Sequence, residues 1–285
     1  AKLQITDGAL LCLGELGATP KKWSKSTGSW VQSEIGAGTR LMWIPEKAAF
    51  RAGAVYGAEW NDANIGLFSA ALGTSCTAKS ALSFAGGIGS SAFGNPTVLL
   101  GQGHASFAYG HSCTTKGDDS FAIGYYSESH GNASISLGSL AKSYSDFCFS
   151  IGTNVESGMV NQPTSSQYSY SGVIGFGLRN TGFGSIVIGS GHFDAGGFSY
   201  LNYNKDLSLA VGFNSSIPTF YVGPGNGGNT IGKVAIGNID PQNRLDVNGS
   251  ASIGFNSGSY VAPDNSLVVK EKVGIGTASP QAALS

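Results

Sequence analysis

A short unit, Ser-x-Ala-x-Gly with large apolar residues at x, recurs through the middle of the chain at a spacing few folds accommodate. It occurs at Ser69, Ala71, Gly73, at Ser83, Ala85, Gly87, and at Thr97, Leu99, Gly101. It continues at Ser106, Ala108, Gly110, at Ser120, Ala122, Gly124, at Ser134, Ser136, Gly138, and at Cys148, Ser150, Gly152. Later copies end at Gly175, Gly189, Gly212 and Gly237. From Gly73 to Gly212 the steps are 14, 14, 9, 14, 14, 14, 23, 14 and 23. A 23-residue step holds one step of 14 and one of 9. In the last of them Ser199, Leu201 and Tyr203 keep the phase, with Tyr in place of Gly. The expected period is therefore 14, with occasional coils shortened to 9.

Small residues also recur three, five and seven positions after each glycine, as in Cys113, Thr115, Gly117 and Ser127, Ser129, Gly131. Alternation with period 2 marks strands. Each unit reads as two short strands with turns at the glycines, one coil of a flattened β-solenoid. At about 4.8 Å per coil, the stretch from Gly73 to Gly237 would form a rod on the order of 50 Å long.

The two faces of the main strand differ. One carries Ser, Ala and Gly. The other carries Phe84, Val98, Phe107, Phe121, Ile135, Phe149, Ile186 and Leu209, and two positions on, Leu100, Ile123, Leu137, Ile151, Ile174, Ile188 and Val211. Only 12% of residues are charged and the net charge is -1, against 41% hydrophobic residues and 44 glycines. A thin coil has one interior and cannot bury both faces, and large apolar patches are normally interfaces. At about 1.5–3 kcal/mol for each buried Phe or Ile, self-association in a closed homotrimer is expected.

Asp119-Ser-Phe-Ala-Ile-Gly124 and Ala133-Ser-Ile-Ser-Leu-Gly138 resemble the head repeat of trimeric autotransporter adhesins over roughly residues 66–215. That resemblance implies an all-β, parallel, left-handed β-roll with three chains around one axis. Gly38 to Gly53 and Trp60-Asn-Asp-Ala-Asn-Ile-Gly66 resemble a segment preceding such heads in surface and fibre proteins of Bacteroidetes-type bacteria.

Residues 1–65 hold all four tryptophans, Trp23, Trp30, Trp43 and Trp60, and 13 of the 33 charges. This region is expected to cap the first coil's open edge; a glycan-stacking role for its aromatics is the alternative. Ala9–Leu13 reads as a strand and Pro45 to Phe50 as a short helical turn. In residues 216–285, Lys233 to Leu245 recurs 39 residues on as Lys272 to Leu284. This repeat resembles stalk modules that precede the endosialidase-like intramolecular chaperones of phage and bacterial fibres. Nothing like that chaperone is present, and ending at Ser285 mid-module suggests processing, truncation or disorder beyond it.

No residue pattern here carries catalytic chemistry, so no enzyme and no cofactor is expected. Gly223 to Gly228 matches GxGxxG, but no helix-forming stretch follows it. His104, His111, His130 and His192 fall in different coils, with no carboxylate pattern at His104 and His192, and read as surface or turn residues; Cys12, Cys76, Cys113 and Cys148 form no metal-ligand spacing and read as small buried side chains. Clustered Lys and Arg for nucleic acid are missing, and no apolar run is long enough for a membrane span. The expected partners are other copies of the chain, including end-to-end stacking, and a glycan or cell-surface receptor. Contacts are assigned to two projecting regions, Gly158–Ser171 and Gly191–Asn204, through Tyr168, Tyr170, Phe198, Tyr200 and Tyr203. The expected role is an extracellular, cell-surface or particle-borne adhesive fibre. A phage or injection-particle tail fibre, a filament subunit and a carbohydrate-active fibre are the alternatives.

Overall fold

The computed structural model describes residues 37–94, 105–158, 170–225, 231–254, 261–270 and 273, and the backbone of 21–24 and 29–32. The described chain is all-β apart from two 3-10 turns, Pro45–Lys47 and Asp62–Asn64, with most strands in one 20-stranded, largely parallel sheet. The strand Ala9–Leu13, Cys12, Gly101, His104, Tyr168 and the module at 272–284 lie outside the described residues, except that Val273 is described.

Strands pair in parallel with their counterparts one repeat on. Ala70–Thr74 pairs with Phe84–Ile88, Phe107–His111 with Phe121–Tyr125, and that strand with Ile135–Ser143. A second parallel series of shorter strands links Thr77–Ala78, Ser91–Ala92, Thr114–Thr115 and Glu128–Ser129. It continues through Lys142, Glu156, Leu178–Asn180 and Leu201–Tyr203.

The register explains the motif. Gly73 pairs with Gly87, Gly124 with Gly138 and Gly175 with Gly189. At Gly124, φ is +131°, and a Cβ would stand 1.8 Å from the carbonyl oxygen of Gly138. Only glycine fits both demands. The motif serine seals the corner before the strand: Ser69, Ser83, Ser120, Ser134, Ser185 and Ser208 each donate an Oγ hydrogen bond to the carbonyl three residues earlier, at 2.5–3.1 Å. Both corners also force bulky residues into left-handed backbone, such as Leu82, Phe147 and Leu207 at one and Tyr126 and Leu140 at the other. Such positions cost on the order of 1–3 kcal/mol each and persist only where surrounding pairing imposes them.

The small face is the interior. Ala71, Ala85, Ala108 and Ala122 are wholly buried, with Cys76 and Cys113 beside them. Further along, serines take over: Ser136, Ser143 and Ser150 each donate across to a backbone carbonyl at 2.7 Å. Towards the C-terminal side the same positions hold Val155, Val173, Leu178, Val187, Leu201 and Tyr203.

Three features depart from the sequence expectation. First, no 9-residue coil divides the long steps: Gly87 pairs directly with Gly110, Gly152 with Gly175 and Gly189 with Gly212. In the last case the nine extra residues include a hairpin of His192–Asp194 and Gly197–Ser199; in the other two they lie mostly outside the described residues. Leu201 and Tyr203 then pair with Leu178 and Asn180 in the shorter series, so Tyr203 does not stand for a ladder glycine. Second, the parallel series starts before Ser69. Ala49–Val55 pairs with Ala70–Thr74, placing Gly53 on Gly73 and Arg51 at the alanine position. Third, it stops at Leu209–Gly212, which pairs antiparallel with Phe220–Val222, so Gly237, just after the antiparallel strand Val234–Ile236, lies beyond the series.

Both edges of the parallel series are thus closed by antiparallel strands, Gly38–Ile44 at one end and Phe220–Val222 at the other. Under the first, Arg51 is wholly buried and donates to the carbonyls of Phe50, Ser69 and Ala78 and to Ser69 Oγ at 2.8–2.9 Å. Burial lowers its pKa to about 10. Trp60 is buried, and its indole N–H donates to the Cys76 carbonyl at 2.9 Å, whereas Trp43 is exposed.

Candidate interaction surfaces

With Ala, Ser and Cys inside, the large residues of the motif point outward in two columns. One runs Phe84, Phe107, Phe121, Ile135, Phe149 by direct pairing, then Gly172, Ile186 and Leu209. The other runs Ile123, Leu137, Ile151, Ile174, Ile188 and Val211. Phe84, Phe107 and Phe121 stack with ring centroids 4.8 Å apart. Lateral stacking half-buries Phe84, Phe107, Phe121, Ile123, Leu137, Phe149, Ile188 and Leu209. Ile135, Ile151, Ile174 and Ile186 remain 37–40% exposed. None of these side chains reaches the interior. Tyr109, in the second column, is likewise exposed.

The opposite outward face, on the shorter strands, is polar. Its register brings Thr114, Glu128, Lys142, Glu156, Arg179 and Asn202 into one line. Charge alternates along it. Lys142 Nζ lies 2.9 Å from Glu128 and Arg179 Nε 2.7 Å from Glu156. Burial would raise the Glu128 carboxyl, but hydrogen bonds from Lys142 and His130 outweigh it and hold the pKa below its ordinary value. His130 is itself lowered by burial, against the opposing pull of Glu128. Sequence reasoning missed these pairs because partners 14 or 23 residues apart become neighbours only through the register.

Of the expected contact residues, Tyr170 is exposed and stacks on Phe147 at 5.2 Å. Phe198 and Tyr200 are half-buried, in an aromatic cluster with Phe176 and the exposed Phe193. Tyr203 is corrected: it lies 3% exposed in the core, where its hydroxyl meets Ser208 Oγ at 2.5 Å. Burial pushes its pKa up to about 12. His130 and His192 each pair with a carboxylate two residues away, Glu128 and Asp194; for His192 this departs from the expectation that no carboxylate accompanies it. Cys76, Cys113 and Cys148 are free and buried, as small interior side chains should be. Among the described residues no group of His, Cys, Asp and Glu could hold a metal ion, and no helix is long and apolar enough to cross a membrane.

No protein-family model matches the chain, and neither a curated protein nor a solved structure is significantly similar to it.

Proposed function

We propose that this chain is a segment of an extracellular or particle-borne attachment fibre. In this reading the parallel strand series is a left-handed β-roll, and three copies enclose their outward apolar columns around a common axis. The region before Ala49 forms the cap and attachment region, the parallel series from Ala49 to Gly212 the roll, and the residues beyond it the stalk. The role is mechanical and adhesive rather than catalytic: a stiff spacer that holds side loops towards a cell, matrix or host.

One observation carries the reading. The interior is already filled, by Ala, Ser and Cys and then by Val, Leu and Tyr, yet two columns made mostly of Phe, Ile and Leu, the first broken at Gly172, stay on the outside. Burying such side chains stabilises by about 1.5–3 kcal/mol each, and only another apolar surface supplies that. A second copy of the same face can match it along its length, because most repeats present the same apolar pattern, and cyclic closure protects all copies equally.

Light scattering coupled to gel filtration tests this. The expected mass is three times the 29.1 kDa of one chain. Ile151→Asp with Ile174→Asp should abolish the trimer. A stable, well-folded monomer of the unaltered chain would overturn the proposal.

A further inference from the structure

The polar face holds a cleft of about 250 Å³ lined by Arg179, Thr181, Asn202, Tyr203 and Asn204. Its place in the repeat explains why it exists. Arg179 and Asn202 are paired neighbours in the shorter strand series, and Thr181 follows two residues after Arg179 as Asn204 does after Asn202. One repeat earlier Glu156 occupies the Arg179 position, and Gly158, with no side chain, precedes Thr181. Space therefore opens where neighbouring repeats carry His130 or Tyr144.

The arginine is held in place before any ligand arrives. Its Nε donates to Glu156 at 2.7 Å, and its guanidinium carbon lies 4.5 Å over the Tyr200 ring. Tyr200 is fixed in turn by its hydroxyl, which donates to Asn154 at 2.6 Å. The ion pair uses one edge of the fork. The two terminal nitrogens have no partner among the described residues, and neither has the Asn204 carboxamide. Asn202 makes one long bond, to the Tyr200 carbonyl at 3.4 Å. A pre-set guanidinium fork suits a planar carboxylate bidentately, and carboxamides suit sugar hydroxyls, as does the Thr181 hydroxyl as an acceptor, since it donates its own proton to the Tyr203 carbonyl at 3.3 Å. The cavity falls just below the usual range of about 300–1,000 Å³ for ligand pockets, enough for one sugar ring.

We propose that this cleft binds the carboxylate-bearing ring of an acidic saccharide, with Arg179 on the carboxylate and Asn202, Asn204 and Thr181 on the hydroxyls. Glu156 cancels the arginine's net charge, so recognition rests on fork geometry rather than on attraction at a distance. Single-site affinity is weak, on the order of millimolar. The cleft lies on the polar face, away from the apolar columns, so a trimer would carry three copies and gain from simultaneous engagement. The biological use of the site rests on the attachment-fibre reading; the site itself does not need the trimer.

Isothermal titration of the full chain with trigalacturonate, and with its methyl ester as the uncharged twin, tests the assignment. Saturable binding of the acid, with the ester at least tenfold weaker, is expected. Arg179→Lys should weaken acid binding about tenfold, since it keeps the charge and loses the fork, and Asn204→Ala severalfold. Lys116→Ala, on the same face several repeats away, should change nothing. Equal binding of acid and ester, no saturable binding, or full binding by Arg179→Lys would each overturn the site. Mass measured on the same samples separates the two proposals: a trimer that fails to bind removes only the cleft, and a monomer removes only the fibre assembly.

Discussion

Gly138 is the sharpest point at which to test the register. In Gly138→Ala, φ stays near +132° unless the strand moves, and the new Cβ would stand 1.9 Å from the carbonyl oxygen of Gly152. Real Cβ atoms essentially never come within 3.0 Å, so the shortfall is 3.0 minus 1.9, or 1.1 Å. Gly197→Ala is the control: φ is +115°, and nothing lies within 4 Å of the added carbon. Both variants bear the backbone strain of a side chain at positive φ, about 1–3 kcal/mol. Gly138→Ala must also pry the two strands apart there, losing two or three ladder hydrogen bonds at about 0.5–1.5 kcal/mol each. The expected destabilisation is about 2–7 kcal/mol, exceeding the control by about 1–4 kcal/mol, a gap that denaturant midpoints resolve. Equal losses would mean that Gly138 and Gly152 do not face each other, and the 14-residue register would fall.

Ser134→Ala leaves the buried Gly131 carbonyl without its donor and should cost about 1–3 kcal/mol in urea unfolding; Ser134→Cys should cost less, because Cys148 already fills the same position one repeat on. Burial raises the thiol pKa of Cys76 and Cys113, so a thiol reagent at neutral pH should leave both unmodified in the native protein and modify them after unfolding. The folded pKa of His130 is lowered, so the unfolded chain takes up that proton first, and stability should begin to fall as pH drops below about 6.5. Glu128, also lowered, should add a second loss through the carboxylate range, and Glu128→Gln should remove that second step from the pH profile of Tm.

Much of the fold was legible because its constraint is local. Gly124 marks a site where only glycine satisfies the backbone and Ser134 one that takes a small hydrogen-bonding side chain, so the period appears directly in the letters. The inward and outward faces followed from alternation, although which was interior needed the geometry: the space between the two strand series admits Ala and Ser, not Phe. The repeat at Gly53 was hidden because Arg51 replaces its alanine and 20 residues separate it from Gly73. The 9-residue coil was a false reading of insertions whose ends happen to keep the phase at Leu201 and Tyr203. Residue type alone made Tyr203 a contact candidate, but pairing with Asn180 turns it inward. The Arg179 cleft was invisible, because Glu156, Arg179 and Tyr200 meet only through the hairpin insertion and the register.

The change of interior side chains along the series has a mechanical consequence. Repeats that touch only their neighbours separate one at a time, each resisting with its own lining. A lining of Ala71, Ala85 and Ala108 grips weakly beside one of Val173, Val187, Leu178 and Leu201, since each further methylene adds about 0.8 kcal/mol. Under tension the alanine end would peel first and the valine end last, so the chain would yield in steps from one direction.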